Sequence, residues 1–316
     1  MEAASTAAAS TGRPEAPSLR AARRRYGEAV IRGLLLLAAV ISLLTTFGIV
    51  YALLEETIVF FGDVGITEFL FGTKWTPLFQ SASYGVLPLV LGTFATTFIG
   101  LLVAIPLGLG AAVYLSEYAR PRVRKVIKPI LELLAGIPTI VFGYFALTFF
   151  TPEVLRNFLG LDVAIFNALA AGIIIGFLII PIVASISEDA MRSVPQSLRE
   201  GAFGLGASKL QVSVRVVFPA ALSGIVASIV LAMSRAVGET MVVLLAGGQQ
   251  PQWGVDIGKS METLTAFIGA TAKGDVPTGS TEYKTLFAVG TTLFFITLVI
   301  NMISIRLVRK YRQVYE

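Results

Sequence analysis

From residue 29 onward, long apolar stretches alternate with short polar and basic ones. Six apolar stretches, at about 29–54, 84–118, 129–151, 163–188, 213–246 and 284–307, reach or exceed the roughly 20 residues that cross a bilayer core of about 30 Å. Inside lipid a lone segment satisfies its own backbone hydrogen bonds only as a helix. The pattern therefore predicts six transmembrane helices within 29–312 and an all-α, polytopic membrane protein. The stretch 84–118 is longer than one crossing needs, so it is expected to project from the bilayer or to bend at Pro106. The stretch 213–246 is interrupted by Arg235 and Glu239.

Between the fourth and fifth stretches the pattern changes. Residues 189–212 form a polar, glycine-punctuated loop, and 199–219 read "REGAFGLGASKLQVSVRVVFP". Pro195 suits the first turn of a helix. Leu198, Ala202 and Leu205 then recur at helical spacing, which predicts a short amphipathic helix along the membrane surface. Gly204 and Gly206 end that helix or bend it sharply. A second short helix over 208–217 leads into Pro219 and the next span. A helix–glycine–helix of this kind presents an apolar ridge to another protein or lies on lipid.

Composition supports the membrane reading. Of 316 residues, 55% are hydrophobic and 14% charged, with mean hydropathy +0.79. A soluble domain carries about a quarter charged residues. The chain has no cysteine and no histidine, so a disulfide framework, a thiolate metal site and a His-dependent hydrolase are poor readings. A net charge of +5 could point to nucleic acid, but in a membrane chain the placement of the cations is the better guide. With a cytoplasmic amino terminus, the inner segments hold the basic tail, Arg120–Lys128, Arg192–Arg215 and the basic end. The outer segments hold only Lys74, Arg156, Lys259, Lys273 and Lys284. That bias places both termini and the 189–212 loop in the cytoplasm. Residues 1–28, rich in Ala, Ser and Pro and then basic, are expected to be a disordered cytoplasmic tail rather than a cleaved signal peptide.

The loop resembles the "EAA" loop of ATP-binding-cassette importer permeases, whose pattern is E-A-A-x3-G-x9-I-x-L-P. Glu200 takes the E, Gly201 and Ala202 the A-A, Gly206 the G, and Val216, Phe218 and Pro219 the I, L and P. Gly201, Val216 and Phe218 depart from the pattern, and Gly201 is expected to loosen the helix by roughly 1 kcal/mol relative to Ala. Further stretches, "SEDAMRSVPQSLREGAFGLGAS", "ELLAGIPTIVFGYFAL" and "SRAVGETMVVLLAGG", are similar to phosphate-importer permeases. "EFLFGTKWTPLF" tilts the likeness toward the PstC-type subunit. The resemblance covers most of 26–312. It implies a type I importer permease fold in the plasma (inner) membrane of a prokaryote, with coupling to ATPases through Glu200, Gly201, Ala202, Gly206 and Pro219. The implied partners are a homologous PstA-type permease, two ATPase subunits and an extracytoplasmic phosphate-binding protein. The chain itself would hold no cofactor, metal or catalytic residue, with ATP and Mg on the ATPases. An importer of sulfate or molybdate would show the same loop. A self-sufficient secondary transporter is a rival of another class, but the paired repeats common there are not found.

Charges inside a span are costly and normally face an interior or a watery path. Arg235 and Glu239, four apart, share one helix face. They form either a structural ion pair or, as the resemblance favours, part of the substrate pathway, with the guanidinium offered to phosphate and Glu239 holding it. Lys128 and Glu132 share the same spacing and are expected to be an anchoring pair. Gly172 and Gly176 suit close helix packing. Thr93, Thr96 and Thr97 either line a polar path or bond their own helix backbone. "GVDIGKS" at 254–260 imitates a phosphate-binding loop, but it has three rather than four residues between its glycines and no preceding apolar strand, so it is not expected to bind nucleotide.

Overall fold

The computed structural model describes residues 26–79, 81–274 and 276–311, so the predicted tail falls largely outside the described residues. The chain divides into two units, Met1–Val50 and Tyr51–Glu316. Within the first, the described residues form the opening part of helix α1 (Tyr26–Asp63), and from Gly27 to Ile49 every side chain is exposed. Apolar side chains all round a helix are what a lipid-facing helix needs.

The second unit is helical, and its described residues contain no strand beyond one isolated bridge between Trp75 and Tyr84. Its elements after the end of α1 are α2 (Ile66–Phe71), α3 (Leu87–Tyr118), α4 (Pro121–Ala135), α5 (Thr139–Phe158) and α6 (Ala168–Arg192). There follow α7 (Gln196–Gly204), α8 (Lys209–Ala220), α9 (Leu222–Val237), the short turn α10 (Val243–Gly247), α11 (Leu264–Thr271) and α12 (Thr281–Tyr311). Helices α1, α3, α6 and α12 are long and apolar enough to cross a membrane singly. The count reaches six if the bent pairs α4–α5 and α8–α9 each make one span.

The first bend corrects the reading of 129–151 as a single helix, whereas the second agrees with the separate short helix expected over 208–217 ahead of the fifth span. Helices α4 and α5 meet at 85°, at Gly136, Ile137 and Pro138. Proline lacks an N–H and pushes the residue before it out of the helical region, so α4 cannot run on through 138. Helix α4 has a charged face and an apolar face, and none of its residues is buried. Helices α8 and α9 meet at 70° just beyond Pro219, and α9 stops at Gly238. Pro106, by contrast, does not break α3, which runs uninterrupted through it.

Packing centres on α3 and α6. A Cβ on Gly172 would lie 2.6 Å from Ile99 Cβ, and one on Gly176 would lie 2.7 Å from Val103 Cβ and 2.9 Å from the Gly100 carbonyl. The predicted small-residue contact therefore lies within this chain, between α3 and α6. Around it Ile174, Ile175, Ile179, Val183, Ala232 and Val243 are buried in one cluster. A second cluster, of Phe60, Phe69, Trp75, Leu89, Leu264 and Phe267, closes the opposite end of α3 with edge-on aromatic pairs.

Candidate functional site

Helix α7 carries the EAA-like residues. Pro195, with φ −54° and ψ 138°, leads the chain in extended. At the far end Gly206 adopts φ +82°, a conformation that costs an L side chain about 1–2 kcal/mol. The Gly206 N–H donates to Phe203 O at 2.9 Å and the Ala207 N–H to Ala202 O at 3.1 Å, which satisfies the end of the helix. Ser208 then opens α8 with a reciprocal cap: its hydroxyl accepts from the Gln211 N–H at 3.3 Å, and Gln211 Oε1 accepts from the Ser208 N–H at 2.7 Å. Glu200, Gly201, Gly206 and Pro219 are exposed, whereas Ala202 is half-buried against the cluster that contains Val212 and Val217. Leu205 was expected to share an apolar ridge with Leu198 and Ala202, facing another protein or lipid. It is 91% exposed, and it sits in the turn beyond the helix, which ends at Gly204. Phe203, Leu210 and Val214 are exposed with it.

Arg199 fastens this elbow to the bundle. Its guanidinium donates to Val194 O at 2.5 Å, to Met191 O at 2.7 Å and to Glu117 Oε1 at 3.2 Å. Glu117 ends α3 and Met191 ends α6, so one nearly buried arginine ties α7 to two core helices. Sequence reading passed over it, because an arginine in a cytoplasmic loop looks like any other inner cation.

Lys128 does not pair with Glu132, which is exposed. Its Nζ lies 2.9 Å from Glu188 Oε2 and 2.6 Å from Asp189 Oδ1, sixty residues away on α6. The bend at 136–138 places the polar face of α4 on the end of α6. Glu188 has no exposed side-chain surface and also lies 2.6 Å from Arg124 Nε, while Arg192 Nε stands 3.9 Å off. A buried carboxylate holding two cations was missed. The available signal was an acid at the edge of an apolar stretch, four residues before Arg192.

Arg235 and Glu239 meet as their spacing predicts. Arg235 Nη1 donates to Glu239 Oε2 at 2.5 Å. The carboxylate is almost fully buried, and its other oxygen accepts from the Met241 and Val242 N–H groups at 3.1 and 3.3 Å. Glu239 thus caps the turn that restarts after Gly238, where a helix N-terminus favours negative charge. The Arg235 side chain remains 40% exposed, and four of its five N–H donors have no partner among the described residues. The pair is structural on the acid side and open to a ligand on the guanidinium side.

Thr93 and Thr96 bond their own helix, at Leu89 O and Gly92 O, both 2.9 Å away. Thr93 Oγ1 also accepts from the Leu264 N–H at 3.0 Å, so it holds α11 on α3. In 254–260, Lys259 pairs with Asp256 at 2.7 Å, and the backbone of 257–259 bonds that of 164–169. No helix starts at Lys259, so the stretch has the architecture of a strapped loop and not of a phosphate-binding turn. Glu262, beyond it, was not singled out in the sequence. It is buried beside a pocket of about 640 Å³ that Trp75, Gln249, Gln250 and Trp253 also line. Burial pushes its carboxyl up to about 8.

Comparison with known proteins adds an independent line. The family model described as "Binding-protein-dependent transport system inner membrane component" matches residues 104–313. A Bacillus subtilis protein, probable ABC transporter permease protein YqgH, is 37% identical over 242 residues, covering 77% of this chain and 76% of the relative. Phosphate transport system permease protein PstC 1 of Mycobacterium tuberculosis is 35% identical over 72% of this chain and 73% of its own length. The PstC protein of Mesorhizobium japonicum is 31% identical over 91% and 94%. Among solved structures, a chain of a bacterial ABC transporter that imports alginate superposes with a TM-score of 0.63 at 18% identity, over 92% of this chain and all of that one. A chain of the MetNI methionine transporter gives 0.52 at 21%, over 72% and 95%. At those identities the likeness is one of fold.

Proposed function

The chain belongs to the family of binding-protein-dependent transport system inner membrane components, and from that premise we propose that it is the PstC-type permease subunit of an ATP-driven phosphate importer. The observation that carries the coupling role is the elbow. Its tip, 200–206, is exposed except for half-buried Ala202 and is bent at a glycine with φ +82°, while Arg199 fixes its base to α3 and α6. A part that is open at the tip and rigid at the root is suited to receive force from another protein. The phosphate reading follows the relatives from Mycobacterium and Mesorhizobium. A sulfate or molybdate importer is the alternative cargo reading.

In the proposed cycle a loaded extracytoplasmic protein docks on the outer segments 55–83, 152–162 and 247–284, which include the ends of α1 and α5 and helices α2 and α11. Two ATPase subunits, holding ATP and Mg, close on the other face and drive 200–206. Arg199 passes that motion to the ends of α3 and α6, and Glu188 passes it to α4, which ends at the 136–138 break. A homologous PstA-type permease supplies the other half of the pathway. Arg235 offers its free donors to the anion as it passes, and Glu239 keeps the guanidinium placed and its net field low enough for release. The work comes from tighter binding of ATP to the closed state. Both termini lie in the cytoplasm, and this chain carries no ATPase site of its own.

Reconstituting the complex with its binding protein tests the reading. Gly206→Ala and Glu200→Gln are expected to uncouple stimulated ATP hydrolysis from uptake, and intact coupled uptake in both would refute the elbow's role. Arg235→Lys keeps the charge but loses the fork, and it should cut phosphate uptake at least tenfold with little change in ATP hydrolysis. Binding of sulfate or molybdate, but not phosphate, by the partner protein would replace the cargo assignment.

A further inference from the structure

A cleft of about 430 Å³ lies between the end of α3, the polar face of α4 and the end of α6, and the transport cycle above does not use it. Arg124, Lys125, Lys128 and Arg192 converge on it, with Ser116 and Glu132 at its wall. Four cations in one concavity repel one another unless something negative joins them.

The protein's own acids only partly meet that demand. Glu188 lies beneath the cleft against Arg124 and Lys128, and Asp189 takes a second contact with Lys128. Arg124 Nε is buried against Glu188 Oε1 at 2.6 Å, whereas the two Nη groups of Arg124 have no hydrogen-bond partner among the described residues. Arg192 stands 3.9 Å from Glu188, beyond hydrogen-bond reach, and is about half exposed. Lys125 has no hydrogen bond or ion pair among the described residues and is exposed. Glu132, also exposed, is the one carboxylate in the wall itself. Guanidinium forks and an ammonium around a small concavity match the donor demand of a tetrahedral oxyanion, which accepts several charge-assisted bonds at once.

We propose that this cleft binds a phosphate-type oxyanion, either free phosphate or the phosphodiester of an anionic lipid headgroup. Arg124 and Arg192 clasp the oxygens, and Lys125 supplies the unpaired charge at the mouth. Glu188 holds Arg124 in place from below without entering the cleft. The site is separate from Arg235, and the proposal does not depend on what the protein transports. Because α4 ends at the 136–138 break, an anion here joins α4, α3 and α6 at the same end as the elbow.

The test uses the full chain, purified in a non-ionic detergent and checked for folding by circular dichroism and size exclusion. Binding of radiolabelled inorganic phosphate is measured directly, and retention of phosphatidylglycerol against phosphatidylcholine is read by native mass spectrometry. Lys125→Gln and Arg192→Gln, singly and together, remove the least engaged cations, since Lys125 has no ion pair among the described residues and Arg192 only the 3.9 Å approach to Glu188. The double variant is expected to weaken one of the two probes at least tenfold, while Lys273→Gln, at an exposed cation that does not line the cleft, leaves that probe unchanged. Loss of phosphate binding identifies the soluble anion, and loss of phosphatidylglycerol retention identifies the lipid. Neither probe bound by the parent chain, or both bound equally by the folded double variant, overturns the site. Loss of phosphate only in Arg235→Gln also overturns it, yet leaves the transport reading standing.

Discussion

Replacing Glu188 by Gln is the sharpest perturbation of the ionic joint that connects α4 to α6. The carboxylate has no exposed surface and touches Arg124 at 2.6 Å and Lys128 at 2.9 Å. Removing one partner of a buried ion pair costs about 3–5 kcal/mol, because the other charge is left uncompensated. Two features reduce that here. Arg124 and Lys128 keep 25% and 22% of their side-chain surface exposed, and Lys128 keeps Asp189 at 2.6 Å. The expected loss for Glu188→Gln is therefore on the order of 2 kcal/mol, with a comparable loss for Arg124→Gln. In the double variant neither charge is stranded, so the losses should not add, and the coupling energy should be about 1 kcal/mol or more. Thermal unfolding of the purified chain in one detergent, for parent, two singles and double, measures this cycle. Because the carboxylate is buried, the coupling should change little between low and physiological salt. Additive losses would show that Glu188 and Arg124 are neighbours without an energetic tie, and the proposed route of force to α4 would fall with them.

Other consequences are equally direct. Glu262 binds its proton more tightly folded than unfolded, so it destabilises the fold increasingly as pH rises from its ordinary 4.5 to about 8, and not at all below that window. Glu262→Gln should thus raise the melting temperature at pH 8 and leave it unchanged near pH 4.5, with a gain on the order of 3 kcal/mol at pH 7; a gain independent of pH would show that the carboxyl is not desolvated. Gly176→Val drives a side chain into Val103 and the Gly100 carbonyl and should cost several kcal/mol or prevent folding, as read by yield and monodispersity; a fully stable variant would mean that α3 and α6 can separate. Arg199→Gln releases three contacts at the base of the elbow, whereas Arg199→Lys restores a cation to Glu117 without the fork. ATP-coupled uptake should fall in both and further in the first, and full coupling in both would remove Arg199 from the force path.

Much of the candidate site was legible because its signals are local. Arg235 and Glu239 are four apart on one helix, and the distance between them follows from helical geometry. The bend at Gly206 follows from a residue type that tolerates positive φ. The break near Pro219 was legible as the end of a short helix, whereas a hydropathy average runs across Gly136 and Pro138, so the broken helix there was read as straight. Lys128 shows the limit most plainly. Helical spacing offered Glu132 as its partner, but sixty residues of intervening chain bring Glu188 closer.

The amino-acid order alone determined that this chain lives in a membrane as helices, where its basic segments fall, and that one loop breaks into two short helices around a glycine. Those properties depend on transfer free energies, charge placement and local backbone preference, all of which are sums over neighbouring residues. Only the tertiary structure decided that Glu188 is a buried anchor for two cations, that Arg199 clamps the elbow to two core helices, that Gly172 and Gly176 pack inside the chain, and that Glu262 holds its proton near neutrality. Each of these depends on which distant groups exclude water from one another, and no local pattern carries that information.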